Sequence, residues 1–279
     1  MDLVVQAPVV PNEQLATIAD LAQARGIRVL DGGGQQAFRL VDAARTEDAV
    51  AACANAALDC AIVAPDLRRD RVRLVAMDMD STLITIECID EIADLAGIKP
   101  QVAAITESAM RGEIDFAASL TRRVALLAGL PVDALARVYD ERLQLSPGAE
   151  RMLQGFKAVG AETLLVSGGF TFFTDRLRDR LNLDHTLSNT LEVVNGKLTG
   201  RIVGSIVDAN AKAVRLRELR ARCVGPGQIV VAIGDGANDI PMLKSADVSV
   251  AYHAKPVVRT QTTYAINYCG LDGVLNLFA

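Results

Sequence analysis

The 279-residue chain contains no tryptophan, and only 4% of its residues are aromatic. Recognition of single-stranded nucleic acid by base stacking is therefore not expected. Positive charge is short as well: 29 Lys and Arg against 34 Asp and Glu give a net charge of −5, with no basic field for a phosphate backbone. No uninterrupted apolar run reaches the roughly 18–20 residues that span a bilayer. Residues 1–10 carry Asp2 where a signal peptide has basic residues, and Pro8 and Pro11 interrupt the start, so no signal peptide is expected. Five cysteines (Cys53, Cys60, Cys88, Cys223, Cys269) form no Cys-x-x-Cys pair, which points to free thiols in a reducing, cytoplasmic compartment. Three phosphate chemistries also lack their signatures. There is no Gly-x₄-Gly-Lys-[Ser/Thr] loop, neither His185 nor His253 follows an Arg-His-Gly pattern, and no cysteine has Arg at the sixth position after it.

What is present is apolar mass, 51% of the chain, enough for one large domain and a smaller one. Residues 1–65 read as the smaller one. Leu3 to Ala7 is strand-like, and a helix from Asn12 to Arg25 ends at Gly26. Two strands follow, Ile27 to Leu30 and Ala37 to Val41, joined across Gly32-Gly-Gly34. Thr46 caps a second helix, and Cys60 to Ala64 closes with a strand. The order β-α-β-β-α-β is that of an α+β ferredoxin-like unit and resembles the amino-acid-binding ACT-type domains. Pro65 to Arg73, rich in Arg and Asp, is expected to be a linker.

Residues 72–279 alternate between apolar strands and amphipathic helices, the pattern of an α/β, Rossmann-like parallel sheet covered on both faces. The alternation is interrupted at about 84–145, where helical patterns alone occur; this block is expected to form a cap inserted after the first strand. Asn195-Gly196 marks a hairpin turn between Leu191 and Ile202.

The run Val72 to Met77 ends in Asp78-Met-Asp80-Ser-Thr82, two acids that an extended strand would project on one side. An isolated Asp-x-Asp is a turn or a helix cap. Here two other strands also end in polar, glycine-rich stretches, Ser167-Gly-Gly169 and Gly234-Asp235-Gly-Ala-Asn238-Asp239, and Lys212 begins a helix that reaches the same edge. Ligands in such sheets sit at the carboxyl ends of the strands. Carboxylates with glycine amides and one lysine suit a cation–phosphate pair, the cation offsetting the acids while Ser, Lys and N–H groups hold phosphoryl oxygens.

Together these four motifs resemble those of the haloacid dehalogenase-like hydrolases, over about residues 72–279, and the cap placement is most similar to the phosphoserine-hydrolysing branch. The resemblance implies a Mg²⁺-dependent phosphatase acting on O-phosphoserine at the last step of serine synthesis. It implies Asp78 as nucleophile, forming an aspartyl-phosphate, and Asp80 as the acid–base that also offers its backbone carbonyl to Mg²⁺. Asp78 and Asp235 would also be metal ligands, with Asp239 as outer support. Ser167, Gly168, Lys212 and Asn238 would lie around the phosphoryl group. Glu87, one turn into the helix after the nucleophile strand, and Arg123 would read the ammonium and carboxylate, with Met110 and Phe116 as apolar lining. The expected partner is a small molecule, with no nucleic acid and no membrane; the oligomeric state stays open, a homodimer being one outcome. Alternatives are a relative acting on another small phosphomonoester or passing the phosphoryl group to an acceptor, and an amino-acid-sensing regulatory protein.

Overall fold

The computed structural model describes residues 1–278. Its chain runs β1 (Asp2–Ala7), α1 (Asn12–Ala22), β2 (Gly26–Leu30), β3 (Gln36–Val41), α2 (Glu47–Asn55) and β4 (Asp59–Val63), which form a four-stranded antiparallel sheet in the order β2-β3-β1-β4. The turn at residues 32–34 joins an antiparallel pair, β2 and β3, so it is a hairpin connection. The two helices cover one face, burying Leu15, Ile18, Ala49 and Cys53 against Leu3, Val5 and Leu40. This is the ferredoxin-like arrangement that the element order implies.

A second sheet starts with β5 (Val72–Met77). The cap block follows: α3 (Cys88–Leu95), α4 (Lys99–Met110), α5 (Phe116–Ala125) and α6 (Asp133–Glu141). The chain then continues through α7 (Ala149–Lys157), β6 (Glu162–Phe170), α8 (Thr171–Leu181), β7 (His185–Val194), β8 (Lys197–Val203), α9 (Ala209–Cys223), β9 (Ile229–Gly234), α10 (Ile240–Leu243), β10 (Val248–Tyr252), α11 (Pro256–Arg259) and β11 (Tyr264–Ile266). The seven strands are ordered β11-β10-β9-β5-β6-β7-β8, parallel except for the edge strand β8, whose hairpin with β7 turns at Asn195-Gly196. β5 lies between β9 and β6 with every residue but Arg73 buried, as apolar strands covered on both faces must be. At the base of the cap, a bridge between Ile84 and Leu145 brings its entry and exit strands together, with Thr85 N–H donating to Gln144 O (3.0 Å) and Ser146 N–H to Leu83 O (2.9 Å).

Three local expectations change. β5 stops at Met77, and the chain turns through Met79–Leu83 with Ser81 in the left-handed region (φ 55°). Asp78 and Asp80 therefore converge through that turn and not through strand alternation. Ser167-Gly-Gly169 is not a turn after the strand; it is the last part of β6, where pairing with β7 slips between Val166 and Phe170. Glu87 does not sit a turn into a helix. It occupies the N-cap of α3, because the chain stays extended through Ile84.

The two sheets are joined through the segment after β11. The buried Asp59 carboxylate accepts the backbone N–H groups of Asn267, Tyr268 and Cys269 at 2.6, 2.9 and 2.8 Å. Gln6 donates to Gly273 O and accepts from Asn276, and the fully buried Arg39 reaches Asn276 O at 3.2 Å. All five cysteines are free, and Cys53, Cys88 and Cys269 are buried. No described helix is long and apolar enough to cross a membrane. Asp59→Ala should strand three N–H donors, that of Cys269 buried and those of Asn267 and Tyr268 part-buried, and cost about 3 kcal/mol of stability, read by urea denaturation. A loss below about 1 kcal/mol would show that water replaces the carboxylate there.

Candidate active site

The carboxyl edge of the second sheet gathers the expected acids. Asp78 continues the ladder one residue past β5, its N–H donating to Ile233 O at 3.1 Å. Its Oδ1 meets Met79 N–H and Lys212 Nζ, each at 2.8 Å, and no described residue donates to Oδ2. The same ammonium lies 2.8 Å from Asp239 Oδ1, while Asp239 Oδ2 takes the Gly236 N–H at 3.0 Å. Both Asp239 oxygens are thus held by protein. Lys212 comes from the first turn of α9, which starts where Asp208 caps it by accepting Ala211 N–H (2.8 Å). Burial disfavours its charge, but Asp239 and Asp78 outweigh that and raise its pKa above the ordinary lysine range.

Asp235 follows β9 and is oriented by Thr82, whose hydroxyl donates to Oδ1 at 2.9 Å. Burial, then the Asp239 charge, raise the Asp235 carboxyl to about 6. The side-chain oxygens of Asp78, Asp235 and Asp239 lie within 4.8 Å of one another. Three carboxylates against one ammonium leave two negative charges uncompensated, and an all-oxygen donor set matches a hard divalent cation. The residues therefore fit such an ion.

Asp80 is not one of these three acids but shares the cavity with Asp78 and Asp235, and its Oδ1 accepts Cys88 N–H at 3.0 Å. Burial raises its carboxyl to about 6, so it holds a proton far more readily than an exposed aspartate. Asp78 is raised too, by burial and by Asp239, against Lys212. Gly169 packs so closely that a Cβ there would come within 2.9 Å of Asp80 Oδ2 and 2.8 Å of Met79 Cε. The buried Ser167 Oγ accepts Gly169 N–H at 2.8 Å, which leaves its own proton for a ligand oxygen.

A cavity of about 110 Å³ opens over these groups and is closed by the cap. Asp78, Asp80, Ser167, Gly168, Asp235 and Asn238 form its floor, and Glu87, Phe116 and Arg123 its roof. Glu87 stands at the mouth, its carboxylate accepting the Ser81 hydroxyl at 2.7 Å; burial and the Asp80 charge raise its pKa. The Arg123 Nε is buried without a hydrogen-bond partner among the described residues. A larger cleft of about 1030 Å³ lies between the two sheets and touches the site only through Ser81 and Asp235. The convergent acids face the smaller cavity, so that is where the chemistry belongs.

Met110 is a correction. It is the last residue of α4, 68% exposed, and does not line the cavity, because the helix ends there and the chain turns outward through Arg111 and Gly112. Ile89, Leu120 and Phe170 supply apolar lining that the motifs did not reveal. Leu120 was detectable in principle, since Phe116, Leu120 and Arg123 share one helical face. Thr82 carried no signal beyond its neighbourhood.

Asp80 and Asp235 bind protons more tightly folded, at about 6, than the unfolded value near 4. Folding therefore takes up protons in that window, and metal-free stability falls as pH rises through it. With EDTA, the thermal midpoint should drop between about pH 5 and pH 7.5. Added Mg²⁺ should restore it most at the higher pH, where the cation no longer competes with protons. A metal-free midpoint that rises over this range would contradict the assignment.

Residues 75–244 match the family model described as haloacid dehalogenase-like hydrolase, and residues 3–50 match one described as a domain of unknown function. A phosphoserine phosphatase of Polaromonas sp. is 55% identical over 222 residues, covering 77% of this chain and 94% of its own. The crystal structure of a probable phosphoserine phosphatase from Vibrio cholerae superposes with a TM-score of 0.85 at 38% identity, covering 99% of this chain and 85% of that one. A structure of a phospho-aspartyl intermediate analogue of phosphoserine phosphatase superposes with a TM-score of 0.68 at 36% identity, over 75% of this chain and 99% of that one. On these matches and this geometry, the chain belongs to the haloacid dehalogenase-like hydrolases.

Proposed function

We propose that this chain hydrolyses O-phospho-L-serine to serine and phosphate through a phosphorylated Asp78, with Mg²⁺ as its cation, at the last step of serine synthesis. The observation that carries the substrate is the part-buried Arg123 in the roof, whose buried Nε has no hydrogen-bond partner among the described residues and which shares one small cavity with Glu87. A buried N–H donor without a partner is costly. The α-carboxylate of phosphoserine relieves it, while Glu87 takes the ammonium. The named activity of the Polaromonas relative supports the same substrate.

The chain's own residues divide the reaction. Asp78 attacks phosphorus with Oδ2, the oxygen that neither Met79 nor Lys212 holds. The Ser167 hydroxyl and the Gly168 backbone, with Asn238 beside them, line the cavity and hold the transferring oxygens, and the buried Lys212 ammonium supplies positive charge from behind Asp78. Asp80, whose carboxyl burial raises to about 6, donates a proton to the departing serine oxygen and then takes one from the water that attacks the phosphoryl group. A bound Mg²⁺ would supply positive charge to the phosphoryl oxygens, held by Asp78, Asp235 and the Asp80 backbone carbonyl, with Asp239 as support. An intact acid–lysine set speaks against the regulatory-protein alternative. A homodimer stays a proposal, supported by the unpaired outer edge of β2, where Ile27 and Val29 are exposed.

Phosphate release from a panel of phosphomonoesters, with Mg²⁺ and with EDTA, tests the reading: phosphoserine should lead the panel and EDTA should abolish release. Arg123→Ala should lower kcat/KM for phosphoserine about 100-fold and for p-nitrophenyl phosphate no more than about threefold. Equal losses on both substrates would mean that Arg123 does not read the carboxylate.

A further inference from the structure

Asn189 lies outside the catalytic cavity, on β7, and is 1% exposed. Its carboxamide makes two contacts that join separate parts of the sheet edge. Nδ2 donates to Gly168 O at 2.8 Å, and Oδ1 accepts Val207 N–H at 2.8 Å. The orientation of the amide is forced, because a backbone carbonyl can only accept and a backbone N–H can only donate. Only a short neutral side chain with both functions can complete both contacts.

The position explains the need. β6 and β7 pair regularly up to Val166–Leu187, lose register, and pair again at Phe170–Asn189. In that gap Ser167-Gly-Gly169 bows away from β7, and the Asn189 side chain takes the ladder's place at Gly168. In a trans peptide the Gly168 carbonyl and the Gly169 N–H point in opposite directions. Holding the carbonyl on Asn189 therefore aims the Gly169 N–H at Ser167 Oγ, 2.8 Å away. The other contact fixes Val207, one residue before the Asp208 cap of α9, and hence the start of the helix that carries Lys212.

We propose that Asn189 is a positioning residue that holds the Gly168 peptide and the entry of α9 in register, so that Ser167 and Lys212 address one phosphoryl group. The inference rests on the phosphoserine reading above, and it assigns Asn189 to the phosphoryl end of the ligand only. The amino-acid end is held by the cap, through Glu87 and Arg123, which Asn189 does not touch.

The test compares two inhibitors of p-nitrophenyl phosphate hydrolysis, orthovanadate for the phosphoryl end and L-serine for the amino-acid end, in the Mg²⁺-loaded full chain. Asn189→Asp keeps the acceptor and loses the donor; Asn189→Ser is too short for either contact. Both should weaken vanadate inhibition about tenfold or more and leave serine inhibition within about twofold. Unchanged vanadate inhibition, or an equal loss for both inhibitors, would overturn the proposal, the second by showing a general loosening. If Asn189→Asp fails to fold, Asn189→Ser is judged by the same two constants, and failure of both to fold would overturn it as well. A wild type inhibited by vanadate but not by serine would instead overturn the substrate reading, and Asn189 would then stand or fall on vanadate inhibition at an unchanged thermal midpoint.

Discussion

The Lys212 ammonium, enclosed at 2.8 Å from both Asp78 and Asp239, is the contact on which the rest of the site depends. It joins three segments far apart in the chain: the end of β5, the start of α9 and the turn after β9. Removing one partner from a buried ion pair costs about 3–5 kcal/mol, because the remaining charge is left without water or counter-ion. The arrangement also sets direction. Lys212 and Met79 both hold Asp78 Oδ1, so the other oxygen is the one presented to the cavity. The surplus of negative charge that remains around a single ammonium is what makes a divalent cation fit there.

Specificity is placed elsewhere. The sheet edge contributes Asp78, Asp80, Ser167, Asp235 and Asn238 to the cavity, whereas the cap supplies Glu87, Arg123 and the apolar Phe116, Ile89 and Leu120. The two parts meet at the Ile84–Leu145 bridge and again at the Pro131–Lys197 bridge, where Gly129 N–H donates to Leu198 O at 2.8 Å and ties the cap to the β7–β8 hairpin. The ferredoxin-like sheet is anchored by Asp59 and Asn276 to the opposite end of the chain. Its attachment therefore runs through the segment after β11 and not through the cap.

The acids, Ser167-Gly-Gly169 and Lys212 were legible in the sequence because their chemistry is tied to where apolar strands run out. The β-α-β-β-α-β order of the first unit was legible for a similar reason: its periodicities change sharply at Gly26, at Gly32-Gly-Gly34 and at Thr46. Met110 was expected in the lining only through the family resemblance, and a resemblance does not encode which way a helix end faces; α4 stops there and leaves it 68% exposed. Asn189 was invisible for a deeper reason. Its role arises where β6 and β7 fall out of register, and no local pattern encodes a slip between two strands. The Asp59 contacts likewise cross more than 200 residues, which only the folded chain brings together.

The central claim is that Asp78 carries the phosphoryl group during turnover. Acid-quenched single turnover with phosphoserine and Mg²⁺, followed by proteolysis and mass spectrometry, tests it directly. A transient phosphoryl adduct is expected on the peptide containing Asp78, located on that aspartate and absent from Asp78→Asn. An adduct on another residue, or full turnover by Asp78→Asn, would contradict it.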